Sequence, residues 1–125
     1  MADTATSADR SEETLVADAV DALLADNDPK KMSYEEFRGA QFDHGLAWVY
    51  FDHGHGGLGV SPILQKQVEV RLREAGASPM QPAMFFMHLA GPTIHTHGSD
   101  DSKKRFLRPM FTGEERWCQL FSEPG

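Results

Sequence analysis

The sequence predicts an all-α domain of five or six helices that runs into the first strand of a second, β-type unit. Two observations support this fold class. Apolar residues recur at helical spacing along most of the chain, and serine capping signals precede several of these stretches. The only convincing strand comes at the end, from Trp117 to Phe121. A length of 125 residues suits one domain with a modest core.

The first predicted helix carries an apolar stripe with acidic residues on the opposite face. The segment from Met1 to about Asp9 is small and polar, so we expect residues 1–10 to form a flexible start. From Glu12 onward, apolar residues at i, i+4 spacing form two adjacent rows, and Asn27-Asp28-Pro29 ends the pattern. The rows consist of Leu15, Ala19 and Leu23, and of Val16, Val20 and Leu24.

Capping signals mark the next two helices. Ser33 and Glu36 form a capping box, which opens a short helix that runs toward Gly45. Ser61-Pro62 is an N-cap followed by proline at the first helical position, and Gly76 closes that helix. The inward positions of the two helices are Phe37, Ala40 and Gln41 in the first, and Leu64, Val68, Leu72 and Ala75 in the second.

A glycine-rich loop, GHGGLG at residues 54–59, separates these two helices. It is superficially similar to a phosphate-binding loop, and the preceding WVYF could be a strand. A dinucleotide-binding fingerprint requires a βαβ pattern, however, and none follows. We therefore interpret the loop as a tight turn between helices.

The last predicted helices have a different character. Ala83–Ala90 is apolar on every side, which indicates burial all round, either in a core or along an apolar ligand channel. We expect Gly91-Pro92 to interrupt this helix before one or two further turns to His97. Ser99 caps the next helix, acidic residues follow at its positive end, and we expect Pro109 to stop it.

The composition excludes several functional classes. The formal net charge of −7 belongs entirely to residues 1–28, and the remainder is neutral. No basic footprint for nucleic acid is present, and no apolar run reaches membrane-spanning length. Cys118 is the only cysteine, so an intramolecular disulfide is impossible. These features favour a cytoplasmic protein that binds neither nucleic acid nor membrane.

The six histidines raise the question of a metal site. His53 and His55 are spaced as HxH, but they lie in the glycine-rich loop, and no HExxH motif occurs. Surface or packing roles are therefore favoured for the histidines, and we predict no bound metal. Cys118 has no histidine nearby in the sequence and is interpreted as a small core residue.

The stretch from Gln81 to Gly125 resembles the acyl-CoA dehydrogenase family. The resemblance consists of a buried helix, a KKRFL helix followed by Pro109, a Thr-Gly-Glu turn, and a strand that enters Ser-Glu-Pro-Gly. Upstream, Gly56-Gly57-Leu58-Gly59 matches the family's GGLG turn. The likeness covers most of residues 33–125, and the final dozen residues are its most specific part.

The resemblance implies the N-terminal part of an FAD-dependent enzyme with a helical domain, a middle β-domain and a C-terminal helical bundle. Residues 11–113 would be the helical domain and residues 114–125 the start of the β-domain. The family abstracts the α-proton of an acyl-CoA with a carboxylate and passes the β-hydrogen to FAD as hydride, which gives a trans-2-enoyl-CoA. The implied partners are the acyl-CoA substrate, electron-transfer flavoprotein or a similar acceptor, and other subunits of a homo- or hetero-oligomer.

Site residues follow from the same resemblance, position by position. The flavin-contacting strand corresponds to Gln119, Leu120, Phe121 and Ser122, and the helix that lines the acyl pocket to Gln81, Pro82, Phe85 and Leu89. Ser122 stands where the family often has threonine, and either hydroxyl can donate a hydrogen bond. The catalytic glutamate of the family has no counterpart among these residues, so we expect it beyond residue 125.

Three interpretations stay open at this point. The leading one is the N-terminal part of an acyl-CoA dehydrogenase of fatty-acid or related metabolism. The second is a non-catalytic half subunit that pairs with a catalytic partner, and the third is an unrelated helical binding module. The terminal strand has no pairing strand, and a Pro-Gly turn is of little use at a chain end, so we expect the sequence to be an inactive fragment.

Overall fold

The computed structural model describes residues 7–79 and 87–114, with side chains described for 11–79 and 90–114. Five α-helices and one 3₁₀ turn follow one another, and within these ranges the only β pairing is an isolated bridge between His53 and Gly57. The predicted all-α domain is confirmed for this part of the chain. The elements are α1 (Ser7–Asp26), α2 (Tyr34–Asp43), a 3₁₀ turn (Pro62–Leu64), α3 (Gln65–Glu74), α4 (Met87–His97) and α5 (Asp100–Thr112).

Helix α1 begins at Ser7, five residues before Glu12, where the apolar pattern starts. Its buried contacts are Val16, Val20 and Leu23, whereas Leu15 is 42% exposed. Both predicted rows therefore contribute residues to the core, but Leu15, at the start of its row, faces solvent.

Local capping chemistry sets the starts of two later elements and the end of a third. The Ser33 hydroxyl accepts a hydrogen bond from the Glu36 amide at 3.1 Å, and the Glu36 carboxylate accepts one from the Ser33 amide at 3.1 Å. Ser61 accepts from the Ile63 amide to open the 3₁₀ turn, which leads directly into α3. Gly76, with φ of 99°, follows the end of α3 as predicted.

The two expectations about proline were wrong. Pro92 lies inside α4, and Pro109 lies inside α5, which continues to Thr112 before the left-handed Gly113. Proline costs a helix one amide donor and crowds the preceding turn. Here packing compensates for that loss, because Ile94 packs on the core after Pro92, and Met110 and Phe111 are buried after Pro109.

The helices enclose two hydrophobic clusters. α1 packs against α3, while α5 packs against both α2 and α4. We define the aliphatic cluster as Val16, Val20, Leu23, Phe37, Leu46, Val49, Val60, Val68 and Leu72. We define the aromatic cluster as Phe42, Ala47, Trp48, Phe51, Leu107, Met110 and Phe111, against which Ala90 and Ile94 pack.

Several predictions lie outside the described residues. They are the strand at Trp117–Phe121 and the first half of the apolar helix, residues 83–86. The division of the chain into a flexible start, a helical domain and the beginning of a β-domain likewise stays a prediction.

Candidate functional site

A buried cation lies at the centre of the molecule. Arg38 lies on the inner face of α2 and is only 7% exposed. Its guanidinium donates to Gln41 Oε1 at 2.6 Å and to the Ser78 carbonyl, and it lies 5.2 Å from the centre of the Tyr34 ring. The group is therefore held between an amide, a carbonyl and an aromatic ring.

Burial shifts the titration of both partners in this contact. Burial lowers the pKa of the Arg38 guanidinium, and Tyr34 and Glu69 oppose that shift. Burial likewise raises the pKa of the Tyr34 hydroxyl, with Arg38 acting in the opposite direction. Because an arginine keeps its proton in proteins, Arg38 places a permanent positive charge in the interior.

Two glutamines hold the loop that follows α2, which comprises residues 44–61 and is called the loop below. Gln41 Nε2 donates to the Leu46 carbonyl at 2.9 Å, and Gln65 Nε2 donates to the same carbonyl at 3.3 Å. Gln65 Oε1 in turn accepts from the Val49 amide at 2.8 Å. The backbone of residues 46–49 is thus fixed by side chains from α2 and α3, which orients Trp48 toward the aromatic cluster.

Two cavities adjoin Arg38, and both are also lined by Gln41 and Glu69. The larger, of about 340 Å³, opens toward the end of α3 and Ser78-Pro79. The smaller, of about 240 Å³, has an aromatic wall opposite the polar groups. Its further lining residues are Ala47, Trp48, Tyr50, Gln65, Pro92 and Phe111. An amphipathic group fits such a cavity, because one side offers charge and amides and the other offers flat apolar surface.

Helix α4 docks against the aromatic cluster through a close contact. A Cβ atom at Gly91 would lie 2.7 Å from Cζ2 of Trp48, so only glycine allows this approach. Trp48 itself stacks on Phe51, with ring centres 4.7 Å apart, and meets Phe111 edge to face at 5.2 Å. The indole therefore connects α4, α5 and the loop.

His95 adds a polar contact to the same docking. Its ring stacks on Phe51 with centres 4.0 Å apart, and Nε2 accepts a hydrogen bond from the Asp52 amide at 3.1 Å. Burial lowers the pKa of the His95 imidazole, which the Asp52 carboxylate opposes and the nearby Lys103 and His55 reinforce. The sequence analysis favoured surface or packing roles for the histidines in general and did not predict this contact.

No described residues form a metal centre. Among the side chains described, those of residues 11–79 and 90–114, no group of three or more histidine, cysteine, aspartate or glutamate side chains could hold an ion. None of the helices in that part of the chain is long and apolar enough to cross a membrane.

The predicted site residues stay a prediction, because none of their side chains is among those that the structure describes. Gln81, Pro82 and Phe85 are in the gap before α4, and Leu89 lies within α4 without a described side chain. The predicted flavin residues, also outside, are Gln119, Leu120, Phe121 and Ser122.

One polar side chain among the described residues is buried without a hydrogen-bond partner. In this part of the chain, His55 Nδ1 is the one buried side-chain polar atom without a hydrogen-bond partner. It belongs to a histidine beside Asp100, away from both cavities at Arg38.

Comparison with known proteins identifies the family. The family model described as acyl-CoA dehydrogenase, N-terminal domain, matches residues 7–114, which include all five helices. The chain belongs to the acyl-CoA dehydrogenase family. The family resemblance inferred from the GGLG turn and the C-terminal motifs is confirmed, and the unrelated helical binding module is excluded.

Three curated relatives are named acyl-CoA dehydrogenases. FadE34 of Mycobacterium tuberculosis is 41% identical over 69 residues, which cover 55% of this chain and 9% of that protein. FadE29 of the same organism is 33% identical over 69 residues, covering 55% of this chain and 17% of that protein. IpdE1 of Mycolicibacterium smegmatis is 34% identical over 80 residues, covering 64% of this chain and 20% of that protein. No solved structure matches the chain.

Proposed function

We propose that this chain provides the N-terminal helical domain of an FAD-dependent acyl-CoA dehydrogenase that oxidises an acyl-CoA thioester to the trans-2-enoyl-CoA. The observation that carries the proposal is the family match over the whole helical array, residues 7–114. The matched segments span only 9–20% of the three relatives named above, so the activity of a complete enzyme is a proposal here.

Helix α4 has a specific part in this proposal. Its second half is anchored on the aromatic cluster through Gly91 and His95, and its first half carries Leu89. A rigidly docked helix is a suitable wall for an acyl pocket, because side chains on fixed elements hold a substrate in one geometry. We assign Gln81, Pro82, Phe85 and Leu89 to that wall.

The remaining parts of the reaction come from elsewhere. FAD, when bound, supplies the acceptor for the β-hydrogen, and we assign Gln119, Leu120, Phe121 and Ser122 to its binding. The carboxylate that takes the α-proton is expected in the catalytic remainder of the enzyme. An electron-transfer flavoprotein or similar protein would reoxidise the cofactor, in a homo- or hetero-oligomeric enzyme of the cytoplasm that takes part in fatty-acid metabolism.

The test uses the intact protein, by which we mean residues 1–125 together with whatever chain its gene encodes beyond them. It is purified and assayed for flavin absorbance and for acyl-CoA oxidation with an artificial electron acceptor. We expect bound flavin, turnover of a saturated acyl-CoA, and a trans-2-enoyl-CoA product. Residues 1–125 expressed alone should show neither flavin nor turnover. Activity only in the presence of a second subunit would support the half-subunit interpretation instead. Tight FAD binding and turnover by residues 1–125 alone would contradict the placement of the base.

Phe85→Ala tests the assignment of the acyl pocket. Removing a ring from the pocket wall should shift the preference, measured as kcat/KM across a series of acyl-CoAs, toward longer or bulkier chains. Ile63→Ala is the matched control, because Ile63 is 80% exposed on the 3₁₀ turn and should leave the profile unchanged. An unchanged profile in Phe85→Ala would remove Phe85 from the pocket.

A further inference from the structure

The docking contact of His95 involves three separate elements. The imidazole is on the last turn of α4, its ring lies flat on Phe51 of the loop, and its neighbour Lys103 belongs to α5. The two rings are 8° from parallel, and the His95 side chain is 17% exposed. The contact therefore joins α4 to the loop at a place that solvent reaches only partly.

The hydrogen bond at Nε2 specifies the charge state of the ring. An atom that accepts from the Asp52 amide must carry a lone pair, so the proton of the neutral ring is on Nδ1. When the ring is protonated, both nitrogens become donors. Nε2 can then no longer accept a hydrogen bond from the Asp52 amide. The Asp52 carboxylate, whose Oδ2 lies 3.6 Å from His95 Nε2, is the acceptor that would compensate for the lost hydrogen bond. Protonation thus replaces a bond to the backbone with a contact to an exposed side chain.

The surrounding charges limit that compensation. Lys103 Nζ lies 3.9 Å from the same Asp52 oxygen, so it competes with a protonated His95 for one acceptor. His55, the other titratable group that faces His95, sits 3.9 Å from Asp100 Oδ1 at the start of α5. Burial disfavours the charged ring and so lowers the pKa of His95, and Lys103 and His55 act in the same direction.

We propose that His95 is a pH-sensitive positioning residue, whose neutral ring fixes α4 to the loop and whose protonation loosens that attachment. Because α4 also carries Leu89, protonation would change how the enzyme discriminates between acyl chains. The selectivity part rests on the proposed dehydrogenase function, whereas the docking part concerns only the described residues. His95 is not assigned any contact with substrate or cofactor.

The docking part is tested by NMR on the intact protein, isotope-labelled in histidine and aspartate. We expect the His95 ring to titrate below the ordinary histidine value of 6.5, and the Asp52 amide proton to move upfield with the same midpoint. The signals are assigned as those that vanish or shift in His95→Phe. An Asp52 amide that does not follow the His95 titration would overturn the proposal.

The selectivity part is tested by the ratio of kcat/KM for a long and a short acyl-CoA, measured between about pH 8 and about pH 5.5, where histidine titrates. We expect the wild-type ratio to change roughly threefold across this range. His95→Phe keeps an aromatic ring for Phe51 but cannot titrate, so its ratio should not vary with pH. His95→Gln, with an amide oxygen as acceptor, serves if the phenylalanine variant does not fold.

His53→Gln is the matched control, since His53 is an exposed histidine of the same loop. It should retain the pH dependence of the wild-type ratio. A wild-type ratio that is flat with pH, or a His95→Phe ratio that still varies, would overturn the role in selectivity. If the intact protein oxidises no acyl-CoA, the proposed function fails, while the Asp52 amide still decides the docking part.

Discussion

The aliphatic and aromatic clusters share α2 and the loop after it, but they are built in different ways. The aliphatic cluster includes Phe37, Leu46 and Val49. The aromatic cluster includes Trp48 and Phe51, which alternate with Leu46 and Val49 along the loop. The aliphatic cluster fills the space between regular helical stripes of α1 and α3. The aromatic cluster instead depends on ring geometries that bring together residues from the loop and from α4 and α5.

The polar groups at the edges of the two clusters differ as well. On the outside of the aliphatic cluster, Arg71 and Asp21 join α3 to α1 through a solvent-exposed ion pair at 2.8 Å. The aromatic cluster has His95 and Lys103 at its edge, each with a largely buried side chain. Exposed ion pairs contribute little to stability, whereas partly buried titratable groups respond to pH. The comparison indicates that the aliphatic cluster provides the scaffold and that the aromatic cluster positions α4.

The largest expected effect comes from removing the indole that joins three elements. Trp48→Ala should lower the free energy of unfolding by about 3–5 kcal/mol, against about 2–5 kcal/mol for Leu23→Ala in the aliphatic cluster. The two variants should differ less in stability than in which backbone amides lose protection against hydrogen exchange. Hydrogen exchange should rise in α4 for Trp48→Ala and in α1 for Leu23→Ala. Equal loss of protection in both helices would show that the clusters are not separate.

A smaller effect is expected at Gly91, where space rather than conformation is limiting. In Gly91→Ala the new methyl group meets the packed Trp48 ring, and such overpacking costs about 1–3 kcal/mol in chemical denaturation. Gly39→Ala in α2 is the matched control, because its Cβ would meet only the guanidinium end of Arg108, which can move. A Gly39 variant that is destabilised as much as the Gly91 variant would contradict the close-contact explanation.

The smallest effect is expected at the start of α2, beside the aliphatic cluster. Ser33→Ala removes the hydroxyl that caps the helix and should cost about 1 kcal/mol in free energy of unfolding. Ser33→Thr keeps a hydroxyl and should retain most of the wild-type value. A threonine variant as unstable as the alanine variant would show that the cap is not what stabilises this helix.

The Ser33 cap beside the aliphatic cluster and the His95 contact beside the aromatic cluster both make stability depend on pH, and both contributions are lost in acid. The hydrogen bond from the Ser33 amide lowers the pKa of the Glu36 carboxyl from its ordinary 4.5, so this stabilisation is complete above 4.5 and is lost as the pH falls through the lowered value. For His95 the lowered pKa stabilises the neutral ring, so that contribution is complete above 6.5 and declines as the pH falls below it. Glu36→Gln and His95→Phe should each remove one of these two dependences from denaturation curves recorded across pH.

Much of the fold could be predicted because its signals are local. Ser33, Ser61 and Ser99 each interact with an amide two or three residues away, so their roles can be recognised without knowledge of the tertiary structure. The family could be inferred for a related reason, since the glycine turn and the final motifs are short and contiguous. The predicted substrate and flavin residues remain predictions, because their side chains lie outside the described part of the chain.

What the sequence by itself determined was where the elements with serine caps begin, which stretches are apolar, and the family to which the chain belongs. Only the tertiary structure decided that helices continue through Pro92 and Pro109, that Arg38 is buried between two cavities, and that His95 stacks on Phe51. The physical reason is the range of the interactions. A cap or a helical stripe depends on neighbours within one or two turns, whereas these three features depend on packing between residues that are far apart in the chain.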